Sequence, residues 1–276
     1  MAEIQARRGS WKPAVGVLGE LVAAAHARAA ELVRSGGEAD TLQAGFPAPG
    51  AFVSALRRPS VGVIAEIKRR SPSKGSLNEA LEAGPRAAEY ELGGAAAISV
   101  LTEPARFGGS LADLTDVRKA VRIPPLRKDF IVHVSQLSEA RSAGACAVLL
   151  IARALEPSLG AELAAAAGAL GLDVLFEVRD EAELERAIAI RACAIGINTR
   201  DLETLKVDPA VGERLLRLVP PDRVAVYESG VITRADVERA AAWGADAVLV
   251  GSSLSRVRNG AAAVRELSGV PTVRRG

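Results

Sequence analysis

A chain of 276 residues, 49% hydrophobic and 25% charged, has the make-up of an ordinary enzyme and not of a disordered segment. Its net charge of +2 is too small for a nucleic-acid track, and 3% aromatic residues leave few platforms for stacking bases. The longest apolar runs, such as 148–152, are too short to span a bilayer, and residues 1–8 lack the basic-then-apolar order of a secretory leader.

In chain order, the first pattern is a helix over 14–34, where Val17, Leu18, Leu21, Val22, Ala25, Ala29 and Leu32 recur at helical spacing and Gly36-Gly37 ends it. The basic residues near it, Arg7, Arg8 and Lys12, read as a solvated tail. A looser stretch with Pro47, Pro49 and Gly50 leads to a short helix at 52–56, closed by Arg58-Pro59. From Val61 onward strand-like runs fall at 61–68, 95–101, 124–128, 146–152, 173–178, 193–198, 223–228 and 246–250. Helical patterns fill the gaps at 79–92, 111–121, 135–142, 159–170, 181–190, 209–218, 234–243 and 261–267. Strict alternation implies a parallel sheet. Gly94-Ala95, Gly144-Ala145 and Gly244-Ala245 repeat at helix-to-strand joints, with Arg191-Ala192 in place of the glycine once. An open doubly wound sheet would alternate too. Eight units, and no G-x-G-x-x-G after the first strand, favour a (β/α)8 barrel. Residues 1–60 then form an N-terminal helical extension, 61–270 the barrel, and 1–276 one domain.

Cys146 and Cys193 each open a strand and read as buried free thiols. Their spacing makes neither a zinc site nor a disulfide scaffold, which suits a reducing cytoplasm. With only His26 and His133 in the chain, a histidine-rich metal site or a serine–histidine triad is not expected.

The informative residues are polar groups at the C-terminal ends of apolar strands: Glu66, Lys68, Lys128, Glu177, Asn198 and Glu228. Charge is costly to bury without a partner or a task. Side chains alternate across a strand, so Glu66 and Lys68 share a face and can pair, either structurally or toward a substrate. The loop after them, 69–76, mixes cations, hydroxyls and glycine, which suits an anion as well as plain solvent. Lys128 shares the parity of Leu126. Desolvation there would lower its pKa and make it a proton donor, unless it only snorkels at the rim. Glu177 among apolar walls suits acid–base work. Arg200 is placed to grip a carboxylate or phosphate, or to bridge to Asp201 or Glu203. Glu228-Ser229-Gly230 and Gly251-Ser252-Ser253 end the last two strands, where this fold most often seats phosphate.

The run Glu66 to Ser73, E-x-K-x-x-S-P-S, resembles the indole-3-glycerol phosphate synthase family. So do 98–103, Phe107-Gly108-Gly109-Ser110, 128–131, Glu177-Val178, 196–202, Glu228-Ser229-Gly230 and 250–253, in order along the chain. The resemblance implies decarboxylating, dehydrating ring closure of a carboxyphenylamino-deoxyribulose phosphate, with no metal or organic cofactor. It implies Lys128 as general acid, Glu177 for charge stabilisation and proton transfer, and Lys68 with Glu66 for dehydration. Asn198 would orient hydroxyls and Glu228 support the polar network. Arg200, Ser71 and Ser229 would hold the substrate, with Phe107, Phe130 and Leu149 walling the aromatic ring. Gly230, Gly251 and Ser252, helped by Lys68, would hold the phosphate. The implied partner is a small phosphosugar, with no nucleic acid or membrane, in a monomer or weak oligomer. Arg127 departs from the family pattern, which more often has an uncharged residue there; parity turns it away from the site. The segment before Val15 is also longer than usual. A phosphoribosylanthranilate isomerase would share the phosphate end without needing Lys68, Lys128 and Glu177 together, and an inactive binding barrel would keep the fold alone.

Overall fold

The computed structural model describes residues 11–36 and 48–275. Arg7, Arg8, Gly37 and Pro47 lie outside the described residues. Eight parallel strands close on themselves: β1 Gly62–Ile67, β2 Ala97–Leu101, β3 Pro125–Lys128, β4 Ala147–Ile151, β5 Asp173–Val178, β6 Ala194–Asn198, β7 Val224–Glu228 and β8 Ala247–Val250. Almost every strand residue is buried, because helices cover the outer face and side chains fill the inside. The covering helices are α3 Ala83–Leu92, α4 Leu111–Ala120, α5 Val134–Ser142, α6 Pro157–Ala169, α7 Glu181–Ala189, α8 Pro209–Leu216, α9 Arg234–Ala242 and α10 Gly260–Leu267. They follow α1 Gly16–Arg34 and α2 Ala51–Leu56 of the extension.

The repeated helix-to-strand joint has the expected backbone. Gly94, Gly144 and Gly244 have φ of 95°, 97° and 98°, and Arg191 takes the left-handed region at 57° in the fourth. Boundaries differ where capping decides. The helix read from 159 begins at Pro157, whose fixed φ suits a first turn and whose predecessor Glu156 accepts from Ser158 N. The pattern read from 79 becomes helical only at Ala83. A helical turn at Pro104–Phe107, which periodicity did not reveal, is capped by buried Glu103, which accepts from the N–H groups of residues 105, 106 and 107. One thiol reading is corrected: Cys146 is buried but Cys193 is exposed. It lies just before β6, at the end of the barrel away from the polar strand ends, after the Arg191 reversal.

The extension works at both ends of the barrel. Phe52 and Val53 N–H donate to Asp173 Oδ2 at 3.0 and 3.1 Å, fixing α2 beneath the start of β5. α1 crosses the opposite end. Val15 N donates to Glu203 Oε1 at 3.2 Å, and Arg28 reaches Asp129 Oδ1 at 2.8 Å and Glu103 Oε1 at 3.7 Å. Leu18, Leu21, Ala25 and Ala29 are its buried stripe. Among the described residues no helix is long and apolar enough to cross a membrane.

Candidate active site

Register brings the polar strand ends to one level. Leu101 lies beside Lys128, Ile151 beside Glu177, Glu177 beside Gly196, and Asn198 beside Glu228. Alternation then points Glu66, Lys128, Glu177, Asn198 and Glu228 inward above an apolar layer that includes Leu126, Leu149, Leu175 and Leu249. The cleft over them, about 1150 Å³ counted out to its open mouth, is lined by Glu66, Lys68, Lys128, Asn198 and Glu228. Ser71, Phe107, Phe130, Leu149, Arg200, Ser229, Gly230, Gly251 and Ser252 line it as well, so nearly every expected site residue meets there. Glu177 is the exception in part. Its carboxylate approaches Lys128 from behind and borders a smaller cavity that shares Ile151, Asn198, Arg200 and Leu202 with the main cleft.

Two charge groups occupy the floor. Lys68 Nζ meets Glu66 Oε1 at 2.6 Å. Lys128 Nζ stands 3.7 Å from Glu177 Oε2 and 3.9 Å from Glu228 Oε2. Those two separations exceed hydrogen-bond range, so the ammonium is held by charge while its protons can aim at a third atom. The expected lowering of the Lys128 pKa is corrected. Burial pulls it down, but Glu177, Glu228 and Glu66 outweigh burial and hold it above the ordinary lysine value. Glu228 moves upward as well, first through burial and then through the like charge of Glu177.

Two glycines make room for this set. A Cβ at Gly196 would overlap Glu228 Oε1; one at Gly251 would overlap Glu66 Oε1 and stand 2.8 Å from Lys68 Nζ. Gly251 therefore has a steric role beside any phosphate contact. Because each clash is with a side-chain tip, Gly196→Ala and Gly251→Ala should fold yet push a carboxylate out of place. Turnover is expected to fall by about 10²-fold, the usual cost of ångström-scale misplacement. Measuring kcat beside a thermal melt checks this, and wild-type kcat in both variants would count against it.

Around the floor, hydrogen bonds preset the donors. Asn198 Oδ1 accepts from Arg200 N and from Ser229 Oγ, each at 2.9 Å, which leaves the amide NH2 to donate into the cleft. Ser229 has φ of 70° and Gly230 of 86°. A left-handed serine stores roughly 1–3 kcal/mol of strain, and such strain collects at ligand sites. The Arg200 guanidinium donates to Leu205 O at 2.9 Å, while Asp201 pairs with Arg179 at 3.7 Å and Glu203 with Arg153 at 2.5 Å. Neither proposed structural partner holds Arg200. Burial pushes its pKa below the ordinary arginine value. Phe107 and Phe130 form a tilted pair with centroids 6.3 Å apart. Gly109 is confined to glycine because a Cβ would overlap Leu101 O, and Ser110 caps α4 by accepting from Asp113 N.

Several lining residues escaped the sequence reading. Val17 and Leu21 of α1 face the cleft. Their helical spacing marks a buried stripe but not its partner. Lys74, in the anion-suited loop, also lines the cleft. Asp129 sits beside Lys128 with both carboxylate oxygens engaged, accepting from Thr102 Oγ1 at 2.7 Å, Arg28 Nη2 at 2.8 Å, Phe130 N at 2.8 Å and Arg127 Nη2 at 3.1 Å. It turns away from the floor and fixes the turn that sends Lys128 and Phe130 into the cleft.

The backbone resembles that of 3-hexulose-6-phosphate synthase from Salmonella typhimurium, with TM-score 0.61 and 16% identity over 75% of this chain and 96% of that one. At that identity the likeness shows the barrel fold alone. The family model for indole-3-glycerol phosphate synthase matches residues 24–267. The indole-3-glycerol phosphate synthase of Opitutus terrae is 47% identical over 256 residues, 90% of this chain and 96% of the relative. Indole-3-glycerol phosphate synthase 1 of Streptomyces coelicolor is 53% identical over 215 residues, covering 78% and 80%. With a strand-end floor of paired lysines and glutamates and relatives at these identities, the chain belongs to the indole-3-glycerol phosphate synthase family of tryptophan biosynthesis.

Proposed function

We propose that Lys128 is the general acid of the ring closure by which this carboxy-lyase turns 1-(2-carboxyphenylamino)-1-deoxyribulose 5-phosphate into indole-3-glycerol phosphate. The observation that supports this reading is the Lys128 ammonium poised between Glu177 and Glu228 at the floor of the cleft. The ring carbon bearing the carboxylate attacks the ketone carbon, forming a C–C bond, and the ketone oxygen takes a proton from Lys128. The ring, now cationic, is stabilised by Glu177. Its carboxylate leaves as carbon dioxide and the bonding pair returns to the ring. Loss of water follows: the new hydroxyl gains a proton and departs, and a proton leaves the five-membered ring. The Lys68–Glu66 pair, 2.6 Å apart, supplies the acid and base for that step.

The remaining roles follow from placement. Phe107, Phe130 and Leu149 wall the aromatic ring, and the Asn198 amide orients the sugar hydroxyls. Ser71 Oγ accepts from Lys74 N at 3.2 Å, so its hydroxyl proton can serve the ring carboxylate beside Arg200. Ser229, Gly230, Gly251 and Ser252 receive the phosphate. Two free cysteines support a cytoplasmic location. Incubation with the carboxyphenylamino substrate should yield an indole-fluorescent product, and phosphoribosylanthranilate should not be isomerised; the reverse result would assign the other phosphosugar chemistry. Arg200→Ala is expected to raise KM by roughly tenfold or more, the worth of a charge-assisted contact. Unchanged KM and kcat would make Arg200 structural.

A further inference from the structure

The mouth of the cleft holds more positive charge than the floor chemistry consumes. Lys68 is matched by Glu66, and Lys128 by Glu177 and Glu228. Lys74 and Arg200, which line the cleft, and Arg256, exposed at the end of the turn that follows Gly251–Ser253, have no carboxylate within ion-pair distance among the described residues. Lys74 occupies the tip of a small hairpin in which Arg70–Ser71 pairs with Gly75–Ser76. Its N–H donates to Ser71 O at 3.3 Å and to Ser71 Oγ at 3.2 Å, and Gly75 turns the chain at φ of 64°. The tip is thus fixed, with the Lys74 side chain on the cleft wall.

The charges that weigh most on that ammonium are cations. Burial and the like charges of Arg256, then Arg200, then Lys68 push its pKa down. Arg256 ends the 3-10 turn Leu254–Arg256, which follows Gly251-Ser252. Two contacts tie this turn to the hairpin side of the mouth: Asn78 Nδ2 donates to Ser255 O at 3.5 Å, and Ser255 Oγ donates to Gly251 O at 3.2 Å. Like charges held together in a cleft concentrate anions there.

We propose that Lys74 and Arg256 form an outer clamp on the substrate phosphate, closing from the solvent side over the seat made by Gly230, Gly251 and Ser252. The inference rests on reading the cleft as the phosphosugar site and adds two residues to it. A phosphate dianion offers more acceptor oxygens than the backbone N–H groups of the seat face. Two cations at the rim take the outward ones, and the arginine fork can take two at once. Arg200 is left for the ring carboxylate at the other end of the substrate.

The test titrates inorganic phosphate, and separately anthranilate as a carboxylate probe, by calorimetry into the wild type, Lys74→Ala, Lys74→Arg and Arg256→Ala. Each alanine variant should bind phosphate roughly tenfold more weakly, and Lys74→Arg should recover most of the loss. Anthranilate affinity should stay within about twofold, a difference too small for a lost ionic contact. With the full substrate, KM should rise by the same factor as phosphate affinity falls while kcat changes by less than about threefold, and the gap should narrow as salt is added. Unchanged phosphate affinity in both alanine variants would overturn the clamp, as would a loss confined to anthranilate, which would place Lys74 on the carboxylate. Phosphate titration needs no turnover. Weakened phosphate binding in a protein that forms no indole product would sink the reaction and keep the clamp, and full turnover with unaltered phosphate binding would do the opposite.

Discussion

Lys128→Ala is expected to lower kcat by about 10²–10⁴-fold, the usual range for removal of a general acid, without unfolding the protein. The side chain is 17% exposed and holds two ion pairs longer than hydrogen bonds, so its loss removes charge and little packing. What remains is a like-charged pair, Glu177 and Glu228. Burial and mutual repulsion already push Glu228 upward, and without the ammonium it takes up a proton more readily instead of forcing the floor apart. The defect should therefore be in the chemical step, with KM changed less than kcat. The sign of the linkage is also fixed. A lysine held above its unfolded value of about 10.4 adds stability at all lower pH, and this is lost only as pH rises through the folded value. The alanine variant should then melt modestly lower at neutral pH. Product fluorescence under single-turnover conditions, with a melt at the same pH, checks both parts; turnover within about threefold of wild type would remove Lys128 from the general-acid role.

Much of the floor was legible in the sequence because its signal is a contradiction. A charge at the end of an apolar strand conflicts with burial, and period-two alternation says which neighbours share its face. Glu66, Lys68, Lys128, Glu177 and Glu228 could be found that way, and the eightfold order then singled out Gly230 and Gly251 as phosphate candidates. Strand-to-strand register, which sequence does not encode locally, is what sets Ile151 beside Glu177 and Asn198 beside Glu228. The direction of the Lys128 pKa was missed for the same reason. Desolvation can be guessed from one strand, but the carboxylates that reverse it come from β1, β5 and β7. Val17 and Leu21 were legible as a buried stripe and illegible as a cleft wall, since nothing local says that α1 crosses the mouth. Gly196 stood in the sequence only as the first residue of the run 196–202. Its purpose appears only when Glu228 of the neighbouring strand leans over it.

Arg127 carries the second large effect, because its surroundings make it a structural commitment. Parity points it away from the barrel axis, yet it is 3% exposed, enclosed between β3 and α5. Its polar partners are all acceptors. Nε donates to Thr102 Oγ1 at 3.2 Å, Nη1 to Gln136 O at 2.8 Å and to Glu139 Oε2 at 2.8 Å, and Nη2 to Asp129 Oδ2 at 3.1 Å. Truncation would leave buried Asp129 short of one cation and the Gln136 carbonyl short of a donor. Breaking a buried pair from one side typically costs 3–5 kcal/mol, far more than the pair's net worth, because a buried charge is stranded. For a chain of this size that lowers Tm by on the order of 10 °C. Turnover should fall too, since Asp129 fixes the turn between Lys128 and Phe130, but Arg28 still reaches Asp129 Oδ1, so the turn should loosen without being lost. A double-mutant cycle of Arg127→Met and Asp129→Asn separates the two contributions. A coupling of roughly 1–3 kcal/mol is expected for residues sharing one network. An Arg127→Ala protein that melts within about 2 °C of wild type would mean that the side chain is not needed there and that its four contacts contribute almost nothing net.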